Sequence, residues 1–208
     1  MAEPLRPFTS RLVPLPADNV DTDQIIPARF LKGTDKAGLG EGLFADWRYD
    51  ADGQPKQGFV LNRPEMAGRA VLLAGANFGS GSSREHAAWA LRAFGFRAVL
   101  APVFADIFRN NALKNGLLPV ELPAESHAEL AAAVDADPDA QVTVDLEAET
   151  VTLPGGRTVA FAVDPFARQM LLDGTDELGY LLSHGAAVAA YEDAHPARVD
   201  TTAPAWGG

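Results

Sequence analysis

The chain contains no cysteine. That excludes a disulfide framework, a thiolate nucleophile and ligation of an iron–sulfur cluster by its own side chains. Cationic residues are scarce: 17 Lys and Arg stand against 28 Asp and Glu, a net charge of −11. So acidic a surface repels phosphate backbones and disfavours nucleic-acid binding, although a local cluster of donors can still hold a small anion. The four histidines, His86, His127, His184 and His195, show no metal-ligand spacing. No apolar run approaches the length that crosses a membrane, and Met1–Asp18 lacks the apolar core of a signal peptide. A cytoplasmic location is therefore the expectation. What remains is an ordinary globular balance, 47% hydrophobic and 22% charged over 208 residues. That length suits one substantial domain, expected over 1–196, with a frayed tail over 197–208.

The middle of the chain alternates strand and helix patterns. Strands are expected over Ala70–Ala74, Ala98–Val103 and Leu117–Leu122, with helices over Ser83–Phe94 and Ala105–Asn115. Gly95 and Gly116 stand just past the two helices, the usual C-terminal stop. Such alternation predicts parallel pairing with right-handed crossovers. A further strand is expected over Arg11–Pro16 and a helix over Ala124–Asp135. Gln141–Leu146, Thr150–Leu153 and Thr158–Val163 read as antiparallel strands, with Pro154-Gly155-Gly156 as one turn. Phe166–Tyr191 reads as helical, broken at Gly174 and Gly185. Between Lys32 and Gly42, four glycines in eleven residues mark a loop.

The string Gly75-Ala76-Asn77-Phe78-Gly79-Ser80-Gly81-Ser82-Ser83-Arg84-Glu85-His86 joins the first of these strands to its helix. Small residues there allow close backbone approach, and a helix N-terminus presents free N–H groups, so the turn suits an anion. Ser82 and Glu85 also have capping-box spacing, and a plain helix cap accounts for them equally well. Arg84 argues for the anion: a cation in a first helical turn opposes the helix dipole unless it faces a negative ligand. The turn lacks the Lys-Ser/Thr of a P-loop, and its glycine spacing is not the dinucleotide pattern.

Three strings resemble the aconitase superfamily. They are Gly81–Ala87, Asp21-Thr22-Asp23-Gln24-Ile25-Ile26-Pro27, and Phe104-Ala105-Asp106-Ile107-Phe108-Arg109-Asn110-Asn111 followed by Lys114-Asn115-Gly116-Leu117-Leu118-Pro119. Within it, Phe30-Leu31-Lys32 and Leu43-Phe44-Ala45-Asp46-Trp47-Arg48 resemble the family of isopropylmalate isomerase small subunits. The resemblance implies an α/β fold, a three-layer β/β/α swivelling domain with parallel βαβ units and a C-terminal antiparallel and helical extension. It also implies a separate large subunit carrying a [4Fe–4S] cluster, no metal on this chain, and dehydration then rehydration of a dicarboxylate in leucine biosynthesis.

Residue by residue, the resemblance makes Ser82 the base and Arg84 a clamp on a substrate carboxylate. Ser83 becomes a second donor to that carboxylate, with capping as the alternative. Asp23 orients a histidine of the partner, with an Asx-turn or cap as the alternative. Leu31 contacts the isopropyl group where an aconitase uses arginine, or is simply core. His86 is expected to make a structural hydrogen bond. Asp106, Arg109, Asn110, Asn111 and Lys114 read as a polar helix face, and Asp145, Glu147 and Glu149 as a solvent-facing cluster. The competing substrates are those of homoaconitase and of citraconate (methylmalate) hydro-lyases; Arg29, Lys32 and Lys36 keep a third carboxylate in play. A reading of another class is a non-catalytic dicarboxylate-binding module.

Overall fold

The computed structural model describes residues 3–31 and 38–195. The tail expected over 197–208 lies outside them, as do Lys32 and Lys36. Seven strands form one mixed sheet: β1 (Phe8–Leu15), β2 (Val71–Ala74), β3 (Ala98–Ala101), β4 (Leu118–Glu121), β5 (Gln141–Asp145), β6 (Thr150–Thr152) and β7 (Thr158–Ala160), in the order β4-β3-β2-β1-β5-β6-β7. Three short helices, α1 (Thr22–Ile25), α2 (Leu39–Gly42) and α3 (Ala45–Arg48), precede β2. Then come α4 (Glu85–Phe94), α5 (Asp106–Lys114), α6 (Ala124–Ala136), α7 (Pro165–Asp173), α8 (Glu177–Ser183) and α9 (Gly185–Ala194). No helix among the described residues is long and apolar enough to cross a membrane.

The sheet changes character along β1. Its first half pairs antiparallel with β5, Phe8 opposite Val144 through Arg11 opposite Gln141. Its second half pairs parallel with β2, Leu12 opposite Val71 through Leu15 opposite Ala74. Because strand side chains alternate between faces, the parallel half has two apolar surfaces to cover. Leu12, Val71, Leu73, Leu100 and Val120 share one core with Val142, Val144, Val151 and Val159 of the antiparallel half. Val13, Leu72 and Val99 share the other with Ala87 and Leu91 of α4 and Phe108 and Ala112 of α5. A β layer therefore covers one face and a helix layer the other, as expected. Each fully buried leucine contributes about 1.5–3 kcal/mol of transfer free energy.

Several boundaries depart from the sequence expectation: β3 ends at Ala101 rather than Val103, β7 at Ala160 rather than Val163, and the expected loop over Lys32–Gly42 carries α2 at Leu39–Gly42. β1 starts at Phe8 rather than Arg11. Phe-Thr-Ser-Arg shows no apolar run, because one side of this segment is exposed and carries the Thr9–Thr143 hydroxyl pair at 2.7 Å. α4 starts at Glu85 rather than Ser83, since Arg84 is extended (φ −104, ψ 114). The second break in the C-terminal helical region falls at His184, with Gly185 opening α9.

Arg69 is the buried cation of the fold. Its guanidinium donates to the carbonyls of Glu65 (3.0 Å), Leu12 and Pro138 (both 2.7 Å), tying β1 to the segments on either side. Arg69→Ala should lower stability by at least about 3 kcal/mol in urea unfolding, because buried carbonyls lose charge-assisted donors. Arg69→Lys should recover only part, lacking the fork.

Candidate functional site

The chain leaves the carboxyl ends of β1, β2 and β3 through three segments that bond to one another. This is where open parallel sheets place ligands. After β1, Val20 O accepts from Gly79 N (2.7 Å) and Ser80 N (3.2 Å), and Thr22 N donates to Ser80 O (2.9 Å). The Asp18 carboxylate accepts from Ala76 N at 2.7 Å, and Asn77 Nδ2 donates to Asn19 Oδ1 at 2.9 Å. The third segment joins through Phe78, whose N–H donates to Val103 O (3.4 Å) and whose carbonyl accepts from Ala105 N (3.1 Å). Phe78, Phe104 and Phe108 interlock beneath as an aromatic cluster, centroids 5.3–6.5 Å apart.

Two glycines make this approach possible. A Cβ on Gly75 would lie inside the Ala17 carbonyl, and one on Gly79 (φ +81) inside the Phe108 ring. Gly75 lets the segment after β2 meet the one after β1, and Gly79 lets it lie on α5; both are steric requirements independent of any ligand.

The turn carrying Ser82, Ser83 and Arg84 hangs from this junction. The Ser82 carbonyl accepts from the Thr22 hydroxyl (3.1 Å) and from Arg84 N (2.8 Å), so the backbone is held from two sides. The hydroxyls of Ser82 and Ser83 have no partner among the described residues, and both residues are exposed. The N-cap of α4 is Arg84, and no side chain caps it. The capping reading of Ser82 and Ser83 is thereby replaced: the helix begins too late for either serine to reach it, and its first amides are left for another acceptor.

Arg84 and Asp23 form an ion pair through Nη1 and Oδ1. Two residues 61 apart that were singled out separately are thus in contact. The remaining edge of the Arg84 guanidinium has no partner among the described residues and keeps the fork that a carboxylate fits. Asp23 sits in the first turn of α1, where Asp21 and Gln24 complete a reciprocal capping box. The capping role thus belongs to Asp21, not Asp23. Leu31 is half-buried and packs against the core at the end of the 3-10 turn Ala28–Phe30. Arg29 is committed elsewhere, to Asp46 at 2.6 Å and over its own neighbour's ring, Phe30, at 4.8 Å.

Several expected partners turn out differently. The His86 ring packs tilted against Trp89, centroids 4.5 Å apart, and makes no hydrogen bond among the described residues. Arg109 pairs with Glu121 (3.7 Å) and Lys114 with Glu177 (3.1 Å), so two members of the expected polar helix face are ion-paired. Glu147 is exposed, as expected, and meets Arg6 at 3.2 Å, while Arg168 donates to the Leu146 and Glu147 carbonyls. The His127 ring, 2.8 Å from Ala74 O at the end of β2, was not legible in the sequence. Nor was Thr22, whose signal is only its place inside the Asp-Thr-Asp string. A groove of about 380 Å³ between α5 and α7, lined by Asn111 and Met170, contains none of Asp23, Ser82 or Arg84.

Gly79→Ala should cost at least about 2 kcal/mol, from overpacking against Phe108. Gly53→Ala, with φ +76 but open space, should cost about 1 kcal/mol from backbone strain alone. Paired urea denaturation curves check the difference.

Comparison with known proteins places these observations. The family model described as the aconitase C-terminal domain matches residues 7–125, and the one described as LeuD_N matches 128–165. A 3-isopropylmalate dehydratase small subunit of Roseiflexus sp. (strain RS-1) is 59% identical over 97% of this chain and 98% of its own length. One from Anaeromyxobacter dehalogenans (strain 2CP-C) is 63% identical over 91% and 97%. The crystal structure of 3-isopropylmalate dehydratase from Methanocaldococcus jannaschii superposes with a TM-score of 0.64 at 28% identity, covering 89% of this chain and 99% of that one.

Proposed function

The chain belongs to the 3-isopropylmalate dehydratase small-subunit family, and from that premise we propose that Asp23, Ser82, Ser83 and Arg84 are its half of a shared active site. It is the small subunit of a hydro-lyase and takes a large-subunit partner. In this reading the pair interconverts 2-isopropylmalate and 3-isopropylmalate by dehydration and rehydration, a step of leucine biosynthesis. One observation carries it: a backbone-clamped Ser82 and an open-edged Arg84 face solvent beside Asp23, with no structural task for either hydroxyl of the Ser82-Ser83 pair.

An iron–sulfur cluster finds no ligands here. The chain has no cysteine, and the described residues hold no group of three or more His, Asp or Glu suited to a metal. The cluster belongs on the large subunit, where it supplies the Lewis acid for the departing hydroxide.

This chain's residues supply the rest. Arg84 binds one substrate carboxylate through its open edge, and Ser83 donates to the same group. Ser82 takes the proton from the carbon beside a carboxylate and returns one on rehydration. A serine oxygen is basic enough only as alkoxide. The Arg84 charge and the field of the α4 N-terminus favour that anion once the partner excludes water, and a preorganised donor in such a site is worth about 3–4 kcal/mol. Asp23 keeps an oxygen, Oδ2, free of Arg84 and offers it to a partner histidine, fixing that ring's tautomer. Arg29 is already paired with Asp46, so a third carboxylate at that position would have to compete for it, which favours isopropylmalate over citrate-type substrates.

In the reconstituted pair, Ser82→Ala should assemble normally and lose about 10²–10⁴-fold in kcat, the usual worth of a positioned base. Near-wild-type turnover would remove Ser82 from this role. Arg84→Lys should raise KM about tenfold or more, since a point charge replaces a bidentate fork. Steady-state kinetics checks both, and the isolated chain should show no isomerisation.

A further inference from the structure

Leu31 closes one segment and α2 (Leu39–Gly42) opens the next, and these two segments are the feet whose relative position matters. The structure supplies a clamp around Arg48. Its Nη1 donates to Gly40 O (3.2 Å) and Leu43 O (3.3 Å), and its Nε donates to Asn62 Oδ1 (3.1 Å). Asn62 returns a bond, Nδ2 to Arg48 O at 2.6 Å. The guanidinium also lies over the rings of Tyr49 (5.0 Å) and Phe94 (5.1 Å). Desolvation lowers the Arg48 pKa, with Tyr49 and Glu41 opposing the shift.

The clamp reaches Phe30, the neighbour of Leu31, through close contacts. Gly42 is pressed against Phe30, where a Cβ would lie 2.8 Å from the ring, and against Ile26 at 2.7 Å. Phe44 N donates to Ile25 O at 2.7 Å, closing the feet together. Gly40 lies on the backbone of α4, where a Cβ would meet Ala93 C and O at 3.0 Å. The α2 foot is thus seated on the far end of the helix that begins at Arg84, about 12–15 Å along its axis. One guanidinium therefore ties Phe30-Leu31 to the frame of the Ser82–Arg84 turn.

We infer that Arg48 is a positioning residue for substrate selection: it sets where Leu31 stands relative to Arg84 without touching substrate. The inference rests on the proposed function, in which Leu31 meets the isopropyl group. Loosening the clamp should then weaken recognition of that group and spare the malate head held by Arg84.

The test uses the reconstituted two-subunit enzyme, with KM for 2-isopropylmalate and Ki for 2-methylmalate, which keeps the head and loses the branch. Arg48→Lys keeps the charge and loses the fork. Gly40→Ala lifts the same foot by pushing against Ala93 instead, so it stands if the first variant fails to fold. Each should raise KM for 2-isopropylmalate about tenfold, the worth of an ill-fitted apolar group. Each should leave kcat within about twofold and shift the Ki of 2-methylmalate far less. Equal losses for both ligands, or no loss in either folded variant, would overturn the inference. If the wild-type pair does not turn over isopropylmalate, the functional reading falls and takes this inference with it; if it does and discrimination survives both substitutions, this inference alone falls.

Discussion

The carbonyl of Val20 accepts from two amides, Gly79 N and Ser80 N, and the site is built outward from that contact. It joins the segment after β1 to the segment after β2; Gly75 lets those two segments approach, and Gly79 lets the same turn lie on Phe108 of α5. From the same junction the Thr22 hydroxyl reaches Ser82 O, and Asp23 reaches Arg84. Backbone hydrogen bonds thereby decide the relative position of Asp23 and Arg84, 61 residues apart, while the hydroxyls of Ser82 and Ser83 keep no partner among the described residues. This is the arrangement a preorganised site requires: the frame is fixed by groups that take no part in the reaction.

The acidity of the chain gives this local arrangement its meaning. With a net charge of −11, the molecule's general field opposes a dicarboxylate. Attraction must come from short-range donors: one guanidinium, two hydroxyls and the first amides of a ten-residue helix. Asp23 shares the guanidinium in the isolated chain, so its positive charge is partly answered before any substrate arrives. A surface ion pair of this kind contributes at most about 1 kcal/mol. A substrate carboxylate can therefore use the remaining edge without displacing much stability. On the proposed function this is one half of a shared site: it is exposed where catalysis would need water excluded, and the large subunit would supply the other half.

Much of this could be read from residue order because local signals agreed with the global fold. Gly95 ends α4 where its pattern stops, and the strand–helix alternation from Ala70 to Leu122 gives the parallel order found. Ser82 and Arg84 stood out through residue type and spacing, and Asp23 only through the family resemblance. What escaped was non-local. Nothing about Arg69 announces a buried guanidinium bonded to residues 57 and 69 positions away. Arg48 lies beside aromatics in sequence, but its partners Gly40, Leu43 and Asn62 are revealed only by the path of the loops. The capping motif at Ser82–Glu85 failed for a similar reason. The Thr22 hydroxyl on another element holds Ser82 O, and Arg84 stays extended, delaying the helix by two residues. Spacing rules describe a segment in isolation, whereas here a second segment decides where the helix starts.

The central claim is that the first amides of α4 and the Ser82–Arg84 turn meet substrate only when the partner subunit is in place. Amide hydrogen exchange over Gly81–Ala87 measures this directly, with and without isopropylmalate, in the lone chain and in the assembled enzyme. The account predicts that substrate slows exchange there by about tenfold or more in the assembled enzyme and leaves the lone chain unchanged. An active enzyme whose exchange over these residues is indifferent to substrate would contradict it.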